Sequence, residues 1–109
     1  VYVADRENRR VQVFSTDGTY IDEVIKTDTP FARGLAFSPD AAQEFLYVGA
    51  GENIVIIDRA TVEIVGVIDV PGILGGGHQI ASDAEGNIYI AQTAAGVQKL
   101  SYAGLAPAP

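Results

Sequence analysis

The sequence predicts an all-β fold built from repeated antiparallel meanders. Similar stretches begin at Tyr2, Tyr47 and Tyr89, so they follow one another after 45 residues (2 to 47) and 42 residues (47 to 89). Within each stretch Val, Ile, Tyr and Phe alternate with polar residues or form short blocks, and turn formers such as Asp17 and Gly18 separate the blocks. No apolar stripe with helical spacing lies between helix caps. The repeated units are therefore expected to be strands joined by tight turns.

The period of the repeat predicts the blades of a β-propeller. Repeats of about 40–50 residues form either blades or helical arrays, and the pattern favours blades. Four strands, a to d, fit one period, at 34–38, Phe45–Ala50, Asn53–Asp58 and 62–70. Residues 34–70 thus form a complete blade, whereas 1–26 supply strands b, c and d, and 78–102 supply a, b and c. We expect residues 1–102 to be part of a propeller and 103–109 to be a Pro/Ala tail.

The strand pattern also predicts which side chains are buried. The expected core residues are Leu35, Phe37, Ile56, Ile80 and Tyr89, and the expected exposed turn residues are Asp17, Glu44 and Glu85. The repeated Tyr position is expected to hold an aromatic ring between neighbouring blades.

Composition narrows the classes of partner. The 109 residues are 48% hydrophobic, which is enough for a packed core, and no run approaches the roughly 18 apolar residues of a membrane helix. Fourteen acidic against seven basic residues leave a net charge of −7, which opposes binding to nucleic acid or to an anionic membrane surface. The absence of Cys excludes disulfides and thiolate metal sites.

The stretches VYVADRENRRVQVFSTDGTYI (1–21) and GGHQIASDAEGNIYIAQ (76–92) resemble the NHL repeat. The resemblance implies a propeller, often of six blades, whose central channel is lined by the a strands. It also implies that the chain is a piece of a longer polypeptide. Its expected partners then include the remaining blades, or further copies that associate through open blade edges.

The stretch 76–92 also resembles blades of peptidyl-α-hydroxyglycine α-amidating lyase, in which His residues from several blades hold zinc. This resemblance implies a metal-ligand role for His78. A zinc site needs at least three protein ligands and calcium needs six to eight oxygens, so either ion is expected only if further blades supply ligands.

Successive turns of a meander lie at opposite ends of a blade, so the charged residues of the turns divide between these two ends. The b–c and d–a loops share one end, which collects Arg6, Glu7, Arg9, Lys26, Asp28, Arg33, Glu52 and His78. Arg33 and His78 occupy equivalent repeat positions, 45 residues apart (33 to 78), and are the predicted ligand-binding pair, able to grip a carboxylate or phosphate. The alternative is that Arg33 pairs with a neighbouring acid and His78 only fills the rim.

Other polar residues are predicted to be structural. In the hairpin of Asp5, Asn8 and Arg10 the first two are expected to bond the turn backbone and the Arg to bridge to a neighbouring blade. Asp83 and Asp40 are expected to close the a–b turns.

The sequence predicts a non-catalytic module that binds a protein, a peptide or a small anionic ligand through the end carrying Arg33 and His78. No residue is assigned a catalytic role, since no nucleophile elbow, phosphate-binding loop or paired-His helix is present. The alternative is part of a metal-dependent lyase or hydrolase, in which His78 is a metal ligand and Arg33 orients an anionic substrate. An RNA-binding propeller would need a more basic end.

Overall fold

The computed structural model describes residues 1–28, 30–69, 78–92 and 96–104, and these ranges fold as strands and turns. The strands are β1 (Tyr2–Asp5), β2 (Arg10–Phe14), β3 (Tyr20–Ile25), β4 (Leu35–Phe37), β5 (Phe45–Ala50), β6 (Asn53–Asp58), β7 (Glu63–Asp69), β8 (Gln79–Ser82), β9 (Ile88–Gln92) and β10 (Gly96–Leu100). These ranges contain no helix, and so none with the length and apolarity to span a membrane.

The strands form three antiparallel sheets in chain order. The first sheet contains β1, β2 and β3, the middle sheet β4 to β7, and the third sheet β8, β9 and β10. Each strand pairs with its neighbour in sequence, which confirms the predicted four-stranded meander within 34–70. The bounds of β5 and β6 match the prediction, whereas β4 is one residue shorter at each end. Most of the predicted tail and the glycines at 75–77 lie outside the described residues.

The middle sheet is packed between the other two because its apolar side chains alternate between its faces. The side chains that point to the first sheet are at most 1% exposed, and they are those of Leu46, Val48, Val55 and Ile57. The opposite face packs against three isoleucines of the third sheet, Ile80, Ile88 and Ile90. The residues of the middle sheet on this face are Ala36, Tyr47, Ile54 and Ile68. The two cores therefore stack three sheets face to face.

The closest approach between sheets lies at β4 and β8. Gly34 precedes β4, and a Cβ at this position would lie 2.7 Å from the Ile80 nitrogen and 2.9 Å from the Gln79 Cα. Only a residue without a side chain allows this separation. Near the other end of β4, the Ser82 hydroxyl donates a hydrogen bond to the Phe37 carbonyl and ties the two strands together.

The repeated Tyr side chains of the first and middle sheets point toward the next sheet along the chain. Tyr2 packs edge-on against Phe37, with ring centroids 5.7 Å apart, and Arg59 Nε donates to the Tyr2 hydroxyl over 3.1 Å. Tyr47 packs against the core that the middle and third sheets share. Tyr89 lies on the outer face of the third sheet, opposite its buried neighbours on β9. The first two tyrosines thus hold the predicted place between sheets.

The predicted burial is correct for the turns and only partly correct for the core. Asp17, Glu44 and Glu85 are exposed, as expected. Of the five predicted core residues, Ile80 is buried at 3% exposure, whereas Leu35, Phe37, Ile56 and Tyr89 are half-buried. Leu35 and Phe37 face a position beside β1 that no described strand fills, and Tyr89 lies on the face of the third sheet that is turned away from the middle sheet.

Candidate functional site

A polar depression of about 220 Å³ lies at the end of the stack that carries the β1–β2 and β3–β4 connections. Its lining residues are Arg6, Glu7, Arg9, Pro30, Phe31 and Arg33. Three arginines thus line one small concavity, and Glu7 is the one acidic residue among its described lining residues. Two separate parts of the chain build it, the tight turn after β1 and the segment that leads into β4.

The turn after β1 places Arg6 and Arg9 side by side. The Arg9 N–H donates to the Arg6 carbonyl over 3.1 Å, which closes a four-residue turn with Arg9 in the left-handed region at φ 51°. The Lys26 N–H donates to the Arg9 carbonyl over 3.0 Å, and Arg9 Nη1 donates to the Thr27 carbonyl over 2.6 Å. These bonds fix the turn to the end of β3 and hold the Arg9 side chain in one orientation.

Below the turn, Asp5, Asn8 and Arg10 form a polar cluster on the first sheet. Asn8 Nδ2 donates to both carboxylate oxygens of Asp5, over 3.1 and 2.9 Å, and Arg10 Nε donates to Asp5 Oδ2 over 2.8 Å. The Asn8 amide, and then Arg10, lower the pKa of Asp5. Arg10 Nη1 also lies 3.6 Å from Glu23 Oε2 on β3. Arg10 thus connects the three strands of its own sheet rather than bridging to another sheet, because β2 is the central strand.

The segment before β4 holds Arg33 in place through buried neighbours. Phe31 is 1% exposed and Ala32 is 0% exposed, and both belong to the core between the first and middle sheets. The Arg33 N–H donates to the Gly49 carbonyl over 3.0 Å. Gly51 lies in the left-handed region at φ 62°, where a Cβ would lie 3.3 Å from the Pro30 ring. The backbone at Arg33 is therefore anchored on the core and on the end of β5.

The predicted pair Arg33 and His78 occupies matched positions in the middle and third sheets. The His78 N–H donates to the Ala91 carbonyl over 3.0 Å, as the Arg33 N–H donates to Gly49. Because Gly34 lies against Gln79 and Ile80, the two backbones run side by side. The depression itself joins Arg33 to the turn after β1 and is not lined by His78, whose side chain is exposed.

The sequence placed Arg6, Arg9 and Arg33 at one end of the blades but did not single out the first two. It also did not identify Pro30 and Phe31 as part of the site. An apolar Pro-Phe-Ala run inside a connecting segment is the signal that points to them, since a buried anchor is needed where a loop crosses from one sheet to the next.

The carboxylates at the opposite end of the stack bind turn backbone. Asp83 Oδ1 accepts hydrogen bonds from the backbone N–H groups of Glu85 and Asn87. Asp83 Oδ2 accepts hydrogen bonds from the side-chain amide of Asn87 and from the Tyr89 hydroxyl. Asp40 likewise accepts from the Glu44 N–H and the Ser38 hydroxyl. Both carboxylates thus accept hydrogen bonds within the turns where the sequence pattern located them.

The hydrogen bonds to Asp83 make stability depend on pH. The Asn87 amide and the other donors lower the pKa of Asp83 from 3.8 to about 2. The unfolded chain therefore binds more protons between these values, so the stabilisation is present above pH 3.8 and is lost as the pH falls toward 2. We expect Asp83→Asn to lower the urea midpoint at pH 5, and the gap to wild type to narrow steadily toward pH 2.

Glu85→Gln, an exposed change in the same turn, serves as the control for this titration. A gap between wild type and Asp83→Asn that stays constant from pH 5 to pH 2 would show that ionisation of Asp83 does not support the turn.

The zinc role of His78 stays a prediction. Among residues 1–28, 30–69, 78–92 and 96–104, no three His, Cys, Asp or Glu side chains are grouped so that they could hold a metal ion. A metal at His78, and the lyase or hydrolase chemistry that depends on it, would need ligands from outside these residues.

Neither the protein-family models nor the curated proteins compared with the chain match it.

Proposed function

We propose that the three sheets are consecutive blades of an NHL-type β-propeller, and that the chain is a non-catalytic binding module for the acidic group of a protein or peptide partner. The observation that carries the proposal is the convergence of Arg6, Arg9 and Arg33 on one small depression. The blades hold the depression in shape, and the guanidinium groups select its ligand.

The relation between the sheets supports the propeller. Each sheet is a meander, the sheets stack face to face, and the repeated Tyr of the first and middle sheets packs against the sheet that follows. The close approach of β4 and β8, the first strands of their sheets, is the arrangement expected where first strands converge on an axis.

The charge of the depression supports an anionic ligand. An Arg presents a planar fork of donors that matches a carboxylate or a phosphate in two parallel hydrogen bonds. Among the described lining residues three arginines accompany one acidic residue, Glu7, on a chain whose net charge is −7. This local reversal of sign directs acidic groups to this end of the stack.

The size of the depression favours one charged group of a larger partner over a whole metabolite. Pockets for small molecules usually span about 300–1,000 Å³ and are mostly apolar. The depression holds about 220 Å³ and is lined mainly by charged side chains. A Glu or Asp side chain, a chain terminus or a phosphorylated side chain fits this volume, so the proposed partner is an acidic peptide or protein surface.

Calorimetric titration with a hexaglutamate peptide tests the proposal, with hexaglutamine as the uncharged control. Of the two peptides, we expect only hexaglutamate to bind. Arg33→Ala is expected to weaken hexaglutamate binding about tenfold because one charge-assisted bidentate contact is lost. Arg33→Lys should also weaken binding because the fork is lost. Lys99→Ala removes the same charge from the outer face of the third sheet and is expected to retain most of the affinity. Equal losses for Arg33→Ala and Lys99→Ala would mean that only net charge matters and that the depression is not the site.

A further inference from the structure

The depression contains more arginines than one carboxylate can use. A carboxylate has two oxygens in one plane, and two guanidinium forks are enough to occupy their lone pairs. Three arginines, Arg6, Arg9 and Arg33, line the depression, and Glu7 is the one acidic residue among its described lining residues. These described residues therefore carry a formal charge of +2. A ligand with three acceptor oxygens and two negative charges matches both the number of arginines and this charge.

The arginines reach the depression from two sides. Arg6 and Arg9 belong to the turn after β1, whereas Arg33 precedes β4. Arg9 Nη1 donates to the Thr27 carbonyl over 2.6 Å, which holds this guanidinium group before a ligand arrives. The Arg33 backbone is held by the Gly49 carbonyl. Donors fixed on two sides of a concavity suit a tetrahedral group, whose oxygens point in several directions, and little ordering remains to oppose binding.

We propose that the depression binds the phosphoryl group of a phosphorylated side chain on a partner protein. The proposal rests on the proposed function and narrows its ligand from an acidic group to a phosphoryl group. A phosphate monoester carries a charge of about −1.5 to −2 near pH 7 and has three strong acceptor oxygens. Clusters of Arg are a recurring means of recognising phosphorylated peptides.

The rest of the chain favours a single phosphoryl group over a polyanion. The net charge of −7 repels a nucleic acid or an anionic membrane that extends beyond the depression. The volume of about 220 Å³ accommodates one phosphoryl group and the start of the side chain that carries it. A phosphorylated protein brings this group without a long run of further phosphates.

Three pentapeptides test the preference by NMR titration. They have the form acetyl-Gly-Gly-X-Gly-Gly-amide, where X is phosphoserine, Glu or Ser, so that no other side chain is charged. We expect the Ser peptide not to bind, and phosphoserine to bind about tenfold more tightly than Glu because one more charge-assisted contact forms. Equal affinities for phosphoserine and Glu would overturn the phosphoryl proposal and leave the acidic-group site in place. So would hexaglutamate binding without phosphoserine binding, whereas failure of all acidic ligands would also contradict the proposed function.

The ionisation of the ligand provides a second readout. Phosphoserine loses one negative charge as the pH falls below about 6, so its affinity is expected to fall about fourfold from pH 7.5 to pH 5.5. The Glu peptide should bind equally at both pH values. The described lining residues include no His, the side chain that ordinarily changes charge in this range, and the adjoining Lys26 and Asp28 form an ion pair at 3.0 Å.

His78→Gln is the control for this titration, since His78 lies at the matched position of the third sheet and does not line the depression. The variant should retain the fourfold effect. A pH effect that is lost in His78→Gln, or that is the same for both peptides, would assign the titration to the protein and contradict the proposal.

Glu7→Gln tests the charge of the bound ligand from the side of the protein. Glu7 is exposed, so the change is not expected to disturb the fold. Electrostatic energy scales with the product of the charges, so we expect about fourfold tighter phosphoserine binding but only about twofold tighter Glu binding at pH 7.5. Glu85→Gln at the opposite end is the matched control and should change neither affinity. Equal gains for the two peptides would contradict a dianionic ligand.

Two further ligands identify the source of the phosphoryl group. Inorganic phosphate should bind no more tightly than the phosphoserine peptide, and the oligonucleotide hexathymidylate should not bind. Tighter binding of inorganic phosphate would mean that the depression is a site for the free ion, and binding of hexathymidylate would mean that it accepts nucleic acid. Either result would overturn the proposal.

Discussion

Gly34→Ala is expected to lower the free energy of unfolding by about 3 kcal/mol, the upper range for overpacking a tight interior. The added Cβ would lie 2.7 Å from the Ile80 nitrogen and 3.0 Å from the Gln79 carbonyl carbon. Both atoms belong to the backbone of β8, so no side-chain rotation relieves the overlap. The middle and third sheets must then separate where they are closest.

Urea unfolding measures this effect, and Gly66→Ala on β7 is the matched control. At Gly66 the new Cβ would lie 3.6 Å from the Ile56 side chain, an ordinary contact. A Gly to Ala change without a clash costs little and often stabilises a chain by about 0.4–1 kcal/mol through its unfolded state. If the two variants unfold at the same urea concentration, the close packing of β4 on β8 is wrong.

Ile54→Ala and Ile57→Ala are each expected to cost about 2–5 kcal/mol, the usual range for removing a large buried aliphatic side chain. Ile54 is 0% exposed in the core shared with the third sheet, and Ile57 is 1% exposed in the core shared with the first. The two side chains leave β6 on opposite faces. Their effects should therefore add to within about 0.5 kcal/mol in the double variant, as for sites without shared partners.

Ile64→Ala on β7 is the control for this pair because Ile64 is 39% exposed and belongs to neither core. It is expected to cost less than about 1 kcal/mol, as do most surface substitutions. A small cost for either buried variant would mean that one face of the middle sheet is not covered by a neighbouring sheet.

The strands were predictable because their signals are local. Alternating apolar residues bounded by Gly and Asx turns placed β5 and β6 at their observed ends. The turn-closing Asp83 and Asp40 were predictable for the same reason, since an Asp bonds N–H groups a few residues along the chain. The equivalence of Arg33 and His78 likewise follows from the repeat alone.

Burial and the composition of the site were less predictable because both depend on which sheets become neighbours. Leu35 carries the same strand signal as Ile80, yet in the described part of the chain only Ile80 is covered by a strand of the neighbouring sheet, β4. The repeat indicated that Arg33 belongs with His78, whereas the depression joins it to the turn after β1. That outcome depends on Phe31, which is buried in the core and lines the depression together with Arg6 and Arg9.

NMR titration of the labelled chain with hexaglutamate tests most directly whether Arg6, Arg9 and Arg33 form one site for an acidic group. The Nε–Hε signals of the three arginines report on their guanidinium groups one by one. We expect all three to shift together along one binding curve, while the Arg59 signal and the amides of the Asp83 turn at the opposite end stay in place. Shifts spread evenly over every Arg, or centred on Arg59, would contradict the account.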